Sequence, residues 1–286
     1  MSLLAAIESV LSQEGVHAIP LVVLNGRAFA AGLESELRAD SRLRVIERAD
    51  ANLPGALLAG RGQVETPWFG TLDDDDILLP GALATRVAAL DSRPDRDVVV
   101  TNSFTERGAH RWLSNPSDFD VASDPLRALM RRNWLSPGSW LARSAAVGEE
   151  LFDRMPRYGE CTYLAVRFAS EYRMQWLAQP TVVYRVGSPR AESLSPQYVH
   201  GQADVLRCLL ELKLPDDVRL VLRSRIPKAL HHAAEIEWRH GDIGLAWQSH
   251  LASLAAPGGW RHIAFTRHLV RASWHALRGS ADRRGL

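Results

Sequence analysis

Four consecutive aspartates at 73–76 restrict this chain more than any other stretch. They follow a short run with strand character, 67–72, and precede Ile77-Leu78-Leu79-Pro80-Gly81 and then a helical pattern. Adjacent carboxylates repel one another unless water, hydrogen-bond donors or a cation intervene. Their position predicts the end of a strand and the start of a loop, the side of an open α/β sheet that faces a ligand crevice. Asp73 and Asp75, two apart on a locally extended chain, point the same way. Such a pair offers hard oxygens to Mg2+ or Mn2+. A solvated acidic turn whose last aspartate caps the next helix accounts for the acids equally well.

Around the acids the pattern alternates. Apolar spacing predicts a helix over 2–13 and a buried strand over 21–24, stopped by Asn25-Gly26. A helix over 28–38, a strand over 43–46 and a helix over 54–64 follow, with Pro54 allowed in a first turn. Beyond the acids come a helix over 81–90 and a strand over 97–101. Strands alternating with helices predict an α/β fold with a mostly parallel sheet covered on both faces. With 46% hydrophobic residues, the 286-residue chain has enough apolar side chain for one sizeable core. A net charge of +1 gives no footprint for nucleic acid. Cys161 and Cys208 have neither metal-ligand spacing nor a disulfide framework, which suits a reducing cytoplasm. No apolar run approaches the roughly 18 residues of a membrane span, and the first residues read as an amphipathic helix rather than a signal peptide.

The stretch TPWFGTLDDDDILLPGALATRVAAL, residues 66–90, resembles the family 2 glycosyltransferases of GT-A fold. Their signature is a strand, Leu-Asp-x-Asp-Asp, a few apolar residues, Pro and a helix, and Asp73, Asp75 and Asp76 fall on its three aspartates. The resemblance implies a Rossmann-like GT-A sheet. It places Asp73, with its neighbour Asp74, against the nucleotide, and it assigns to Asp75, helped by Asp73, the Mn2+ or Mg2+ that bridges a donor's diphosphate. Residues 7–13, Ile-Glu-Ser-Val-Leu-Ser-Gln, look like the end of the family's first helix. In the family an inner strand precedes that helix and holds part of the base site, whereas this chain begins after it. Three readings stay open: a true start upstream of Met1, a replacement of that strand by 21–24, or a degenerate member. Leu57-Leu58 stand where the family often carries Arg-Asn, and Arg61 is the nearby substitute for contact with the nucleotide.

Further along, 109–113 reads as an edge strand, and Asp124-Pro125 opens a helix over 126–132. Residues 133–143 resemble the family segment that lines the donor sugar, which points to Trp134, Gly138, Ser139 and Trp140 as substrate contacts. Pro137-Gly138 lets a backbone come close to a ligand. Trp134 and Trp140 offer faces to a sugar, although large aromatics are mostly buried. A similar family stretch ends in an acidic pair at a helix start, one member of which looks like the catalytic base. Here the pair is Glu160-Cys161, so Glu160 is the candidate for removing a proton from an acceptor hydroxyl. An acid also favours a first helical turn for structural reasons alone. Residues 174–177 and 180–185 read as short strands or a turn, and 181–185 resembles the closing strand; 187–196 suits a covering loop, with Arg185 or Arg190 as the cation for a leaving nucleotide, or with Arg185 in a structural ion pair and Arg190 on a surface linker.

Residues 196–286 carry helical patterns over 202–212, 216–239, 243–254 and 259–277. His231, His232 and His240 lack a cysteine or acid that completes a metal set, and read as surface or satisfied histidines. The last helix lines up Trp260, Ile263, Val270, Trp274 and Leu277, with Arg267, His268, Arg271, His275 and Arg278 mostly off that stripe. Such a basic amphipathic helix lies on an anionic membrane or packs on protein. The expectation is a catalytic domain over 1–195 and a helical region over 196–286. The resemblance implies an inverting, metal-dependent enzyme moving sugar from a nucleotide-diphosphate donor to a glycan or lipid-linked acceptor. It would sit in the cytoplasm, with peripheral contact at the inner face of the membrane or a homodimer through 259–278. The competing classes are a non-catalytic scaffold of the same fold and a sugar nucleotidyltransferase, and the latter lacks its Gly-rich phosphate loop.

Overall fold

The structure, a computed structural model, describes residues 2–27, 29–30, 32–187 and 195–282. The chain divides into two compact units, Met1–Ser188 and Pro189–Leu286.

In the first unit, α1 (Ser2–Leu11), β1 (Leu21–Asn25), α2 (Leu33–Ala39) and β2 (Arg44–Arg48) enclose a small apolar core. Ile7 of α1, Val22 and Leu24 of β1 and Leu37 of α2 meet there, each almost fully removed from water. After α3 (Leu53–Arg61) and β3 (Trp68–Phe69) come β4 (Ile77–Leu78), α4 (Ala82–Ser92) and the long β5 (Val98–Arg107). β6 (His110–Leu113) returns against β5, and then follow α5 (Pro125–Arg131), β7 (Trp140–Arg143), α6 (Glu150–Asp153), α7 (Glu160–Glu171) and β8 (Met174–Arg185). The Asp124-Pro125 signal works as read: an Asp124 carboxylate oxygen accepts the Arg127 N–H at 2.9 Å.

Two features differ from the sequence expectation. The larger sheet, in order β3-β7-β5-β8-β4 with β6 on β5, is not mostly parallel. Only β5 and β8 run parallel; β3–β7, β5–β7, β4–β8 and β5–β6 are antiparallel. Parallel pairing needs a crossover, which α7 supplies before β8, whereas β6 and β7 come back beside β5 without one. The two short strands expected over 174–185 are one strand, whose register against β5 shifts around Thr101 and Asn102. The second difference is that β1 pairs with β2 alone, in a separate two-stranded parallel sheet. Residues 21–24 therefore do not take the place of the family's inner strand. Among the described residues, β1 and β3 each keep one edge without a partner strand.

At the middle of the larger sheet the core is polar. Arg86 of α4 is 2% exposed and, among the described residues, has no carboxylate partner. Its Nε and Nη2 donate to the Thr181 hydroxyl at 3.0 and 2.6 Å, and its Nη1 to the Trp140 carbonyl at 3.2 Å. Burial pushes this guanidinium down to about 9. The Thr101 hydroxyl donates to the Ser139 carbonyl at 3.1 Å, so Thr181, 2.6 Å away, donates in turn to Thr101. One chain of hydrogen bonds thus ties α4, β5, β7 and β8 together.

The second unit is helical: α8 (Pro196–Leu210), α9 (Asp216–His240), α10 (Ile243–Ala255), a 3-10 segment (Gly259–Phe265) and α11 (Thr266–Asp282). Ala234, Ala246, Phe265 and Leu269 form its core, with Trp238 and Trp247 against them. α11 therefore buries Leu269 and turns Val270 and Trp274 outward, together with Trp260 and Ile263 of the 3-10 segment. Among the described residues no helix is long and apolar enough to cross a membrane.

Thr181→Val removes the acceptor of two Arg86 bonds from a buried charge, and is expected to cost about 3 kcal/mol in urea unfolding. Arg86→Met in the same background recovers most of that loss, because no charge is then left unpaired. An additive double variant contradicts the coupling.

Candidate active site at the acidic turn

The aspartates occupy a tight turn between β3 and β4, the two ends of the larger sheet's strand order. The Asp76 N–H donates to the Asp73 carbonyl at 3.2 Å, so the chain is bent here rather than extended. The carboxylates of Asp73 and Asp75 converge because the backbone turns, not because of strand alternation. Asp76 joins them: carboxylate oxygens of Asp73, Asp75 and Asp76 all lie within 4.8 Å of one another. Asp74 is exposed and stays outside that triad.

The turn is pinned on each side. Ser9 and Gln13 of the first-helix motif hold its exit. The Leu78 N–H donates to the Ser9 hydroxyl at 3.1 Å, and the Gln13 amide donates to the Leu79 carbonyl at 3.0 Å and accepts from the Leu83 N–H at 3.0 Å. Leu79 N–H also donates to the Thr181 carbonyl at 2.9 Å. From β8, the Arg185 N–H donates to Asp76 Oδ1 at 2.9 Å. The entry is packed as tightly: a Cβ on Gly70 would sit 2.6 Å from the Trp140 carbonyl, so only glycine passes there.

Holding these carboxylates together is costly. Asp76 is fully buried, and among the described residues its Oδ2 has no hydrogen-bond partner. Burial pushes its carboxyl up to about 8, against the Arg185 hydrogen bond, with Asp73 and Asp75 adding to the rise. Burial, then Asp75, Asp74 and Glu160, push Asp73 up to about 7. Asp75 is raised as well, by burial and by Asp74. An orphaned buried oxygen beside two more carboxylates is a donor set that suits a hard divalent cation, so these residues fit Mg2+ or Mn2+.

Glu160 begins α7, behind Gly159 at φ 97°, and its Oε1 accepts the Tyr158 N–H at 3.0 Å. Its charge reaches Asp73, and Cys161 feels Asp73, Glu160 and Asp76 after burial, all raising its thiol. The helix start therefore stands beside the acidic turn. Arg185 is held there too; its Nε donates to Glu106 at 3.2 Å.

Other expected contacts belong to the core. Trp134 is 0% and Trp140 1% exposed. The Trp134 indole donates to the Pro125 carbonyl at 2.8 Å, and Trp140 packs against Phe69 and Phe168. Neither has a face left for a sugar. Ser139 is fully buried, with its hydroxyl donating to the Ser136 carbonyl. Gly138 (φ 68°) is bare to admit Leu72 and Val182, 2.8 and 3.3 Å from where a Cβ would be, rather than a ligand. Arg61 spends Nε and Nη2 on the Val147 and Ser144 carbonyls and lies over the Phe69 ring, which makes it a clamp on the 144–147 turn. Asp76, part of the sequence motif but given no role from it, proves to be the buried member of the triad. The covering loop expected over 187–196, with Arg190, lies largely outside the described residues.

The glycosyl transferase family 2 model matches residues 2–147, half of the chain and the whole of the acidic turn with its clasp. The chain belongs to glycosyl transferase family 2. It is a glycosyltransferase of GT-A fold with a helical C-terminal unit. Among solved structures, Staphylococcus aureus TarS 1–349 in complex with UDP-GlcNAc is similar at 14% identity, over 89% of this chain and 78% of that one, with a TM-score of 0.59. A second structure of TarS 1–349 gives 15% identity, 85% and 70% coverage and a TM-score of 0.53. At such identities the likeness concerns the fold. No curated protein sequence matches this glycosyltransferase.

The raised carboxyls set a stability prediction. The folded state holds protons on Asp73 and Asp76 that the unfolded chain releases near 4, so stability is present at low pH and is lost as pH rises toward about 8. In chelator, the transition is expected to weaken by on the order of 3 kcal/mol between pH 5 and 8. Mn2+ should restore more at pH 8 than at pH 5, since it must displace those protons, and Asp76→Asn should remove most of the slope. Thermal scans showing a flat wild-type profile would contradict this.

Proposed function

We propose that this glycosyltransferase is an inverting, divalent-metal-dependent enzyme moving a sugar from a nucleotide-diphosphate donor to a hydroxyl of a glycan or lipid-linked acceptor. The observation that carries the reading is the three-carboxylate cluster with an orphaned buried oxygen, next to a glutamate that opens a helix. Asp73, Asp75 and Asp76 would hold Mn2+ or Mg2+, with Asp73 and Asp74 toward the nucleotide. When bound, the ion supplies positive charge for the diphosphate leaving group. Glu160 takes the proton of the acceptor hydroxyl as that oxygen attacks the anomeric carbon from the face opposite the leaving group. Arg185, fixed beside Asp76 through its own backbone, adds a cation near the departing phosphates. The UDP-GlcNAc held by the TarS structure makes a UDP-sugar the first donor to try.

A scaffold role is the second reading, favoured by the separation of β1 and β2 from the larger sheet. Stabilisation by UDP that requires Mn2+ favours the enzyme, and none with any nucleoside diphosphate favours the scaffold. Glu160→Gln is expected to lower kcat for sugar transfer by roughly 100-fold or more with little effect on UDP binding. Transfer at the wild-type rate removes Glu160 from the mechanism.

The reading of a lipid-linked acceptor rests on a surface of the second unit. Trp260, Ile263, Val270 and Trp274 are 53–70% exposed at helical spacing, with the exposed Arg267 and Arg271 among them. Apolar side chains edged by arginines fit the anionic surface of a bilayer, where a lipid-linked acceptor would be held. Co-sedimentation with phosphatidylglycerol vesicles, absent with phosphatidylcholine and lost in Trp260→Ser/Trp274→Ser, is expected. A dimer by light scattering that the same changes dissolve would instead make this surface a contact between copies.

A further inference from the structure

The histidines of the second unit, read from sequence as unremarkable, line a cavity of about 560 Å3. One wall is a face of α9, where Ser224, Lys228, His231, His232 and Glu235 recur at helical spacing. The other wall is the turn at Pro257 and Gly258 followed by Arg261 and His262 of the 3-10 segment. That turn is fixed by its glycines. Gly258 has φ 83°, and a Cβ on Gly259 would lie 1.8 Å from the Ser253 carbonyl. The Ser253 hydroxyl donates to the Pro227 carbonyl at 2.8 Å, tying the base of the turn to α9.

The groups around this space are mostly cationic or able to become so. Lys228 and Arg261 are exposed, and neither is paired with a carboxylate among the described residues. The His231 and His262 rings stack at 4.1 Å and 29°. Glu235 is the one acid in the lining, 3.6 Å from His231 and 3.9 Å from His232, within ion-pair reach but too long for a hydrogen bond. Behind the stack, His250 bonds the Thr266 hydroxyl at 2.8 Å, and His268 lies against Phe265. Against one carboxylate stand two permanent cations and three imidazoles in the lining.

We infer that this cavity is an oxyanion site for a phosphate monoester or diester, with Lys228 and Arg261 supplying fixed charge and His231, His232 and His262 supplying donors. The volume admits a phosphate with a small organic substituent. A cation fits poorly, because Lys228 and Arg261 repel it. Among the described residues only the aspartate triad brings three ligand atoms within 4.8 Å. Burial lowers both His231 and His262; at His231 the neighbouring His262 adds to this and Glu235 opposes it, while at His262 Glu235 opposes it before Arg261 and Lys228 add to it. His250 behind them is lowered by burial and His262. An arriving anion reverses that repulsion, so binding tightens as pH falls from 8 to 6. This inference is independent of the chemistry at the acidic turn.

Lys213 and Lys228 are the only lysines in the chain, which gives a direct assay. Acetylation of the full protein, read by mass spectrometry, should slow at least 5-fold at Lys228 in 10 mM inorganic phosphate, and more at pH 6.5 than at pH 8. The exposed Lys213 should not change. In nuclear magnetic resonance titrations, phosphate should raise the His231 and His262 pKa values by half a unit or more in wild type and not in Arg261→Ala. Glycerol 3-phosphate and phosphatidic acid vesicles at equal phosphate separate the sources. Stronger protection by the former assigns a soluble phosphoester, and by the latter a lipid headgroup. Equal protection of both lysines, no protection, or histidine shifts unchanged in Arg261→Ala overturns the site.

Discussion

The first unit depends on keeping three carboxylates within 4.8 Å of one another where water is scarce. Left alone, such a turn would open, because each carboxylate regains hydration and escapes its neighbours. Apart from one backbone N–H on Asp76, it is held by bonds to its backbone rather than to its carboxylates. Ser9 and Gln13 grip the backbone after the turn, and Thr181 grips Leu79 through its carbonyl. Arg185 offers Asp76 a neutral backbone N–H while its guanidinium is directed to Glu106. A guanidinium bonded directly to Asp76 would relieve the repulsion and lower the affinity for an ion. The Arg185 charge lowers Asp75 and Asp76 only in part, so both stay raised and the demand for positive charge is incompletely met within the protein.

The same economy explains the polar middle of the sheet. β3 and β4 are two residues each, too short to hold position by ladder hydrogen bonds alone. Thr181 compensates from β8. Its carbonyl receives Leu79 at the turn's exit, and its hydroxyl receives Arg86 and reaches Thr101. Arg86 in turn bonds the Trp140 carbonyl, the atom that forbids any side chain at Gly70 on the way into the turn. A buried cation without a carboxylate costs stability. Here it links the strands on both sides of the acids into one rigid frame, and rigidity is what a crowded ligand set requires.

Much of this was legible. Acids followed by Pro80 and a helix locate the site because their order along the chain is itself the geometry. The Ser9 and Gln13 motif was visible as a resemblance, but its work as a clasp on 78–83 needs the fold. Trp134 and Trp140 show the limit of residue type: an indole suits a sugar or a core equally, and only the surrounding Phe69, Phe168 and Trp176 decide. The inner strand posed a different problem. Apolar content marked 21–24 as a strand, yet which strand it pairs with is a property of edges far apart in sequence, and it chose 44–48. Antiparallel returns such as β7 beside β5 are equally silent, since a four-residue run carries no directional signal.

The helical unit makes the point from the other side. His231 and His232 read as surface or satisfied histidines because no cysteine or acid completes a metal set with them, and Glu235, one turn later on the same face, does not complete one either. His262 arrives from the next segment but one, through a turn that only Gly258 and Gly259 permit. Spacing rules search for ligands of a cation, and they pass over a pocket whose fixed charges are Lys228 and Arg261. A chain poor in lysine and rich in arginine hides such a pocket further, since its basic residues are spread over many surface ion pairs. What distinguishes Lys228 and Arg261 is that no carboxylate partners them among the described residues while stacked imidazoles stand beside them. Recognition of an anion is written in that imbalance, which exists only once the helices have packed.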